Sequence, residues 1–460
     1  MRDDMIGAIS TPPGEGGIAI VRISGEGCIK TVSQIFQARI SSKDIMAQKP
    51  FTLTLGWLID EIGEILDEVL VATMKAPRSY TGEEMVEINC HGGSIPARRC
   101  LMRVLGTGVR LAEPGEFTRR AFMNGKMDAS QAEAVIDVIR AKTDRGLKLA
   151  MKQLEGKNSE YVKQLENYLI EANMLLEANL DFSEDVGDLD YNQLRKLLIS
   201  TTDGIDKMIR AGEIGDIYKE GISVAICGKP NVGKSSLLNA LLRKDRAIVT
   251  DVPGTTRDLI EEHINIKGIP VKLIDTAGIR ETTDVVEQIG ISKAQQAVSN
   301  ADLVVFLLDI EAGMTEEDQA IYNQIENKEQ VIVLINKDDL IDKNISEEEI
   351  KQNFKGLQVI RASIKEEVGI RELEEIIEEK VGTGLVDSDN LEFAVSLRQK
   401  ETLLAGRGFI QEAIDAMDDV PLDCLGVDIQ NALARLGEIT GRNLKEESID
   451  RIFREFCIGK

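Results

Sequence analysis

Aromatic residues are scarce in this sequence, making up 4% of its 460 residues with a single tryptophan. Apolar residues nevertheless make up 43%, so the cores must be built mainly from aliphatic side chains. That balance favours helix-rich domains over an all-β sandwich. The length predicts about two to four domains.

Cysteine and histidine are also rare. The two histidines are His91 and His263, and no two cysteines have C-x-x-C spacing. This pattern argues against both a zinc motif and a disulfide framework, and it predicts a reduced, cytosolic environment. The six cysteines are Cys28, Cys90, Cys100, Cys227, Cys424 and Cys457.

Long apolar runs are absent, so we expect no membrane span. The first ten residues, MRDDMIGAIS, lack the apolar core of a signal peptide. We therefore expect a cytoplasmic protein.

The net charge of −24 argues, by itself, against a protein that binds nucleic acid, because such affinity comes largely from neutralised phosphates. The charge is uneven, however. Residues 1–120 are near balance, and the excess acid lies downstream in runs typical of solvated helix faces. The arginines that cluster late in the first segment are Arg98, Arg99, Arg103, Arg110, Arg119 and Arg120.

Four segments differ in pattern along the chain. Residues 1–118 mix short strand-like runs with glycine and proline turns, and predict an α+β domain. Residues 119–220 are helical; Asp128 is a suitable N-cap for the first helix, with Gln131 three residues on. Residues 221–383 alternate aliphatic strands with helices, which predicts a parallel sheet covered on both faces. Residues 384–460 are helical again, so we expect the α/β domain to be inserted into a discontinuous helical domain.

The strongest motif is GKPNVGKS, residues 228–235, which fits G-x-x-x-x-G-K-[ST] between a buried strand and a helix. In this context backbone N–H groups cradle phosphates, Lys234 reaches the β and γ phosphates, and Ser235 ligates Mg²⁺. A chance glycine turn is the alternative interpretation, and the strand–loop–helix context disfavours it.

Two further motifs indicate guanine rather than adenine. NKDD, residues 336–339, follows a strand and fits N-K-x-D, in which Asp339 can accept two hydrogen bonds from guanine while Asn336 and Lys337 shape the pocket. DTAG, residues 275–278, also ends a strand, where Asp275 can hold the Mg²⁺ shell and the Gly278 N–H can meet the γ phosphate. The three motifs occur in the order found in Ras-like GTPase domains.

The catalytic water needs a different partner here. Ras-like proteins have a glutamine after D-x-x-G, and this chain has Ile279. The segment TDVPGTTRD, residues 250–258, supplies hydroxyl groups where a switch should close over Mg²⁺. We interpret Thr256 as the second Mg²⁺ ligand, although the threonines could simply cap a turn.

Six stretches together resemble one family: PGEFTRRAFMNGKMD, GKPNVGKSSLLN, TDVPGTTRD, DTAGIRE, NKDD and the terminal FCIGK. They are similar, from residue 1 to residue 460, to the bacterial tRNA wobble-uridine modification GTPases of the MnmE/TrmE family. The resemblance implies an N-terminal tetrahydrofolate-binding and dimerisation domain, followed by a helical domain split by the inserted P-loop GTPase domain. It also implies a homodimer that joins a FAD-containing partner in a heterotetramer. Together these would place a carboxymethylaminomethyl group on carbon 5 of the wobble uridine of tRNA.

The resemblance assigns further residues. K⁺, bound by Asn231 and Thr255 and by the backbone at Thr250 and Val252, would act where other GTPases use an arginine finger. Glu287 matches the water-orienting acid of the family. The guanine-closing loop departs from the usual Ser-Ala-Lys, since it reads Ser363-Ile364-Lys365. The GTP contacts that the family resemblance implies are Asn231, Val232, Gly233, Lys234, Ser235, Ser236, Thr250, Asp251, Val252, Pro253, Gly254, Thr255, Thr256, Asp275, Thr276, Ala277, Gly278, Asn336, Lys337, Asp339 and Ser363.

Four residues match formyl- or methylene-folate contacts of the family: Arg22, Glu87, Lys126 and Lys460. Without the resemblance, the local sequence around these residues would suggest only a strand-edge arginine, a surface carboxylate, a loop lysine and a frayed chain end.

Cys457 is open to three interpretations. Gly459 and Lys460 do not fit a prenylation signal. The apolar spacing before Cys457 suggests a helix ending at a Gly459 cap, and the resemblance places the thiol beside the uridine chemistry.

Three functions are therefore compatible with the GTPase motifs. The first is a GTPase whose cycle drives folate- and flavin-dependent tRNA modification. The second is a ribosome-assembly switch without carbon chemistry, and the third is a folate enzyme that GTP only regulates. The long N-terminal segment and FCIGK favour the first.

Overall fold

The computed structural model describes residues 4–40, 44–181, 189–244, 261–275, 296–341, 343–382 and 393–460. The chain divides into two compact units. The first comprises Met1–Ile136, Ser159–Leu198 and Ala405–Lys460, and the second comprises Asp137–Asn158 and Ile199–Leu404. Among the described residues, no helix has the length and apolar character needed to cross a bilayer.

A seven-stranded sheet forms the centre of the first unit, in the order β3-β4-β5-β6-β2-β1-β7. Neighbouring strands are antiparallel except β1 and β7, which are parallel. Burial alternates from one residue to the next along most of β2, so one face of the strand packs into the core. The strands are β1 (Ile6–Ile9), β2 (Ile18–Ser24), β3 (Phe36–Ala38), β4 (Leu53–Ile59), β5 (Ile65–Met74), β6 (Met85–His91) and β7 (Arg110–Leu111).

Helices α1 (Cys28–Ser33) and α2 (Ser94–Leu105) pack on this sheet and bury its largest apolar cluster. Helices α3 (Glu116–Met123) and α4 (Ala129–Arg140) follow. As predicted, Asp128 and Gln131 exchange hydrogen bonds with each other's backbone N–H, at 2.9 and 3.0 Å, and so cap α4. The remaining helices that contribute to this unit are α6 (Lys157–Asp181), α7 (Tyr191–Lys219), α12 (Leu397–Ala416), α13 (Leu422–Thr440) and α14 (Glu446–Arg454).

The second unit contains a six-stranded sheet in the order β13-β12-β11-β8-β10-β9. Apolar clusters lie on both faces, and every residue of β11 and β12 is buried. The strands are β8 (Ile222–Cys227), β9 (Glu261–Ile266), β10 (Ile269–Asp275), β11 (Leu303–Asp309), β12 (Val331–Asn336) and β13 (Gln358–Arg361). The helices are α5 (Asp144–Leu154), α8 (Lys234–Lys244), α9 (Glu316–Asn323), α10 (Glu347–Asn353) and α11 (Ile370–Lys380).

Two sequence predictions need correction. The second sheet is not wholly parallel, because the edge strand β9 runs antiparallel to β10. The last helix does not end at Gly459: α14 stops at Arg454 with Glu455 as its C-cap. The left-handed backbone of Gly459, with a φ of 96°, instead allows a close approach to β1, since a Cβ atom there would lie 2.3 Å from the Ile9 carbonyl oxygen.

Candidate functional site

The loop between β8 and α8 has the strained backbone of a phosphate loop. Gly228, Asn231 and Gly233 have positive φ angles of 142°, 65° and 108°. A Cβ atom at Gly228 would lie 2.5 Å from the carbonyl oxygen of Leu307, and one at Gly233 would lie 2.4 Å from Nδ2 of Asn336. Both positions therefore require glycine. The loop leads into the amino-terminal end of α8, where the helix dipole favours an anion.

Lys234 is the first residue of α8 and lies over this loop. Its ammonium group donates hydrogen bonds to the carbonyl oxygens of Gly228, at 2.8 Å, and Lys229, at 2.7 Å. The residue is 7% exposed. Ser235 and Ser236 follow it and are exposed. A cation and two hydroxyl-bearing residues thus occupy the first turn of the helix, as the motif predicts.

Asn336, at the end of β12, joins two loops. Its amide nitrogen donates to the Val232 carbonyl oxygen at 2.8 Å, and its amide oxygen accepts from the Ile364 N–H at 3.1 Å. Asn336 is 5% exposed. A buried amide that uses both of its ends fixes the phosphate loop against the 363–365 loop.

The carboxylate expected to contact guanine lies beside the second loop. The Ser363 hydroxyl donates to Asp339 Oδ1 at 2.6 Å. This hydrogen bond is the main cause that lowers the pKa of Asp339 below 3.8. Asp339 is therefore anionic at neutral pH, as an acceptor of two guanine hydrogen bonds must be.

Asp309, which sequence analysis missed, also belongs to this site. It ends β11 beside Asn336 in the sheet register, and its carboxylate lies 2.5 Å from the Lys337 ammonium group. Lys337 has a φ of 68°, so its backbone is held in a conformation that non-glycine residues seldom adopt. The signal was present in the sequence, since the aliphatic run LVVFLLD ends in an aspartate at the same sheet edge as NKDD.

The structure places part of the predicted nucleotide site. Asp275 ends β10, and its backbone pairs in register with Ile226 of the neighbouring β8, two residues before Gly228. The predicted residues that lie outside the described part of the chain are Thr250, Asp251, Val252, Pro253, Gly254, Thr255, Thr256, Thr276, Ala277, Gly278 and Glu287.

A second site lies in the first unit, where Arg22 of β2 faces Glu87 of β6. The two residues are directly opposite in the antiparallel register, and the guanidinium lies 2.9 Å from the carboxylate. The guanidinium carbon is also 5.4 Å from the ring centre of Tyr80 and 5.7 Å from that of Phe117. Sequence analysis gave neither aromatic residue a role, although Phe117 lies within the motif PGEFTRRAFMNGKMD. The cluster offers charge of both signs next to aromatic rings.

The C-terminal tetrapeptide is bound at the same cluster. An Arg22 nitrogen lies 3.5 Å from the Gly459 carbonyl oxygen, and the Phe117 N–H donates to the Lys460 carbonyl oxygen at 3.2 Å. Ile458 forms an isolated β-bridge with Pro114. Cys457 is exposed. Cys457 therefore lies two residues before Gly459, on an anchored segment rather than within a helix.

Lys126 approaches from the loop after α3. Its ammonium group donates to the Pro77 carbonyl oxygen at 3.2 Å, and its aliphatic stem packs over Gly82. Tyr80, which contacts Arg22, lies between Pro77 and Gly82 in the sequence. Segment 77–82 therefore links Lys126 to the cluster that holds Arg22, Glu87 and the C-terminal residues.

These features define a P-loop GTPase combined with a separate α+β and helical unit. A family model described as MnmE helical domain matches residues 130–457, and one described as GTP-binding protein TrmE N-terminus matches residues 5–126. A curated protein of Syntrophomonas wolfei named tRNA modification GTPase MnmE is 60% identical over 460 residues, covering 100% of both chains. This chain belongs to the MnmE family of tRNA modification GTPases.

Two other proteins are also similar to this chain. A protein of Alkaliphilus oremlandii with the same name is 46% identical over 461 residues, covering 100% of this chain and 99% of its own. Among solved structures, Aquifex aeolicus Era bound to GDP·AlF4− is 30% identical and has a TM-score of 0.29. That match covers 44% of this chain and 68% of the Era chain.

Proposed function

We propose that this chain hydrolyses GTP to drive the addition of a carboxymethylaminomethyl group to carbon 5 of the wobble uridine of certain tRNAs. The observation that carries the proposal is the contact of Gly459 and Lys460 with Arg22 and Phe117. This contact brings the C-terminal segment, which carries the exposed Cys457, to a charged and aromatic site in the same chain as a GTPase site. A pure switch has no need of such a site.

The second site suits a tetrahydrofolate. Glu87 can accept hydrogen bonds from the amino and N–H groups of a pterin, and the side chains of Lys126 and Lys460 can pair with the carboxylates of the folate tail. Arg22 and Glu87 are 17% and 21% exposed, so a ligand can reach both. The folate would supply the one-carbon unit, and these residues would bind and orient it. Cys457 would add to uridine carbon 6 or protect a reactive intermediate.

The nucleotide site suits Mg²⁺ and K⁺. Ser235 offers a hydroxyl ligand for Mg²⁺ in the first turn of α8, and we assign Thr256 as the second ligand. Asn231 is exposed in the phosphate loop and offers an amide oxygen for K⁺; Thr250, Val252 and Thr255 would complete that site. The cation would supply positive charge near the phosphates, while Lys234 binds them and Glu287 orients the water.

The remaining parts of the proposal concern assembly. The chain would act in the cytoplasm as a homodimer, joined by a FAD-containing partner in a heterotetramer that binds tRNA. Potassium would stimulate hydrolysis through dimerisation of the GTPase domains. The domains would be residues 1–118, a helical domain of 119–220 and 384–460, and the GTPase domain 221–383.

Nucleoside mass spectrometry tests the proposal. tRNA from cells that lack this protein should lose the wobble-uridine group, and an expressed wild-type copy should restore it. A copy with Lys234→Ala should fail to restore it, because phosphate binding is lost. Normal modification in the deletion strain would contradict the proposal and favour a ribosome-assembly switch.

A further inference from the structure

Three potential metal ligands meet inside the first unit. A carboxylate oxygen of Asp67 and the sulfur atoms of Cys90 and Cys100 all lie within 4.8 Å of one another. The cysteines are 2% and 0% exposed, and the Asp67 side chain is 10% exposed. Within the described residues, no other group of three His, Cys, Asp or Glu side chains comes this close together.

The fold, rather than local sequence, creates this cluster. Asp67 lies in β5, Cys90 lies in the adjacent β6, and Cys100 is on α2, which packs over the sheet. The Cys90 thiol donates to the Ala19 carbonyl oxygen at 3.3 Å. The cluster has neither C-x-x-C spacing nor a histidine ligand, and for that reason the sequence predicts no zinc motif here.

His91 holds the carboxylate in place from the solvent side. Its ring Nδ1 lies 2.5 Å from one Asp67 oxygen, and its backbone N–H donates to the other at 2.8 Å. The His91 side chain is 67% exposed. A ligand that is fixed by neighbouring hydrogen bonds loses little freedom when it binds a metal. The Asp67–His91 edge also gives an ion a route from solvent.

We propose that Asp67, Cys90 and Cys100 bind a soft divalent cation, best matched by Zn²⁺. Two thiolates and one carboxylate are a donor set that selects zinc over Mg²⁺, which prefers oxygen ligands alone. Zinc is usually four-coordinate, so a water molecule from the solvent edge completes the site. Binding releases both thiol protons. The ion joins α2 to two strands of the sheet that carries Arg22 and Glu87.

A disulfide between Cys90 and Cys100 is the main competing interpretation. It accounts for the two sulfur atoms but gives no role to Asp67 or to its fixed orientation. The third ligand therefore favours a metal over a redox pair.

Cobalt spectroscopy of the full-length chain tests the proposal. The reduced protein is freed of metal with a chelator and titrated with Co²⁺, and the bound ion is then displaced with Zn²⁺. We expect thiolate-to-cobalt charge-transfer absorption that saturates at one ion per chain and disappears on adding Zn²⁺. Cobalt at the Mg²⁺ position of the GTPase site cannot produce this band, because that site offers only oxygen ligands.

Matched variants locate the ion. Cys100→Ala should abolish the charge-transfer band, Asp67→Asn should weaken Zn²⁺ binding, and His91→Ala should weaken it about tenfold, as expected for a residue that only orients a ligand. Cys28→Ala is the control, because Cys28 is equally buried in the same apolar cluster and lies outside the metal site. Absence of the band in the wild-type protein would overturn the proposal. So would a Cys90–Cys100 disulfide found by peptide mass spectrometry in a protein that binds no Zn²⁺ when reduced.

Discussion

The ammonium group of Lys229, in the phosphate loop, lies 2.9 Å from a carboxylate oxygen of Asp318, whose side chain is fully buried. The same oxygen accepts hydrogen bonds from the backbone and hydroxyl of Thr315, so it also caps α9. The phosphate loop is therefore anchored to α9, which follows β11 along the chain, as well as to its own strand and helix.

Lys229→Met should destabilise the protein by about 3 kcal/mol, because it leaves a buried carboxylate without its cation. Thermal unfolding with and without GTP measures the loss, which should be accompanied by weaker GTP binding. Lys355→Met, at an exposed lysine of the same unit, is the control and should change neither. In combination with Asp318→Asn, the cost should be less than the sum of the single costs; additive costs would show that the pair does not interact.

Asp339→Asn should weaken GTP binding and favour xanthosine triphosphate. The amide donates to the xanthine 2-oxo group and mispairs with the guanine amino group. Dissociation constants for both nucleotides provide the measurement. Asp338→Asn is a close control, because the neighbouring Asp338 carboxylate pairs with Lys343 at 2.8 Å instead of Ser363. If Asp339→Asn leaves the GTP/XTP ratio unchanged, Asp339 does not recognise the base.

Potassium should accelerate GTP hydrolysis, because Asn231 offers an oxygen ligand in the phosphate loop and the sequence identifies no arginine finger. Hydrolysis rates in KCl and NaCl at equal ionic strength provide the measurement. Asn231→Ala should remove most of the difference between the two salts. Equal rates for the wild-type protein would exclude K⁺ from the mechanism.

Cys457→Ser should retain GTP hydrolysis and lose tRNA modification. The thiol is exposed on the segment whose Gly459 contacts Arg22, and its removal does not touch the GTPase site. Nucleoside analysis of tRNA and a GTPase assay measure the two effects separately. Cys424→Ser changes the other exposed cysteine and should leave both activities intact. Normal modification in Cys457→Ser would mean that the thiol has no chemical role.

Stability should depend on pH through Asp216 of α7. Burial, reinforced by Glu220, raises the pKa of Asp216 from 3.8 to about 6. The folded chain therefore holds a proton there that the unfolded chain has lost, so stability falls as the pH rises through this window and stays low above it. Asp216→Asn should stabilise the protein by about 1 kcal/mol near pH 7, after allowance for solvent screening, and very little near pH 4. Thermal midpoints at both pH values test this, with the exposed Asp203→Asn on the same helix as the control.

The sequence predicts those parts of the fold that follow from local pattern. The strands ending at Cys227, Asp309 and Asn336 are mainly apolar runs, because both faces of the sheet are covered. The edge strand β9 reads EEHINI, in which polar and apolar residues are mixed, and it pairs with one neighbour. Nothing in such a stretch distinguishes a strand from a loop, and its direction depends on the turn that follows.

The functional sites also differ in how far local sequence predicts them. The phosphate loop is a contiguous motif whose geometry follows from its own glycines. The local sequence is therefore enough to predict this site. Gly459 has the local signature of a helix cap, yet its conformation is required by tertiary contact with Ile9. Asp67, Cys90 and Cys100 come from three elements, and their distances along the chain contain no information about their proximity.

The contact between Gly233 and Asn336 has an evolutionary consequence. These residues belong to two motifs separated by about a hundred positions, yet the asparagine amide fills the space that any side chain at 233 would need. Neither residue can change alone without either a collision or a buried group left unpaired. The phosphate-binding and base-recognition motifs are therefore constrained to change together at these two positions. A lineage that changes its nucleotide must alter positions around this pair while keeping the pair itself.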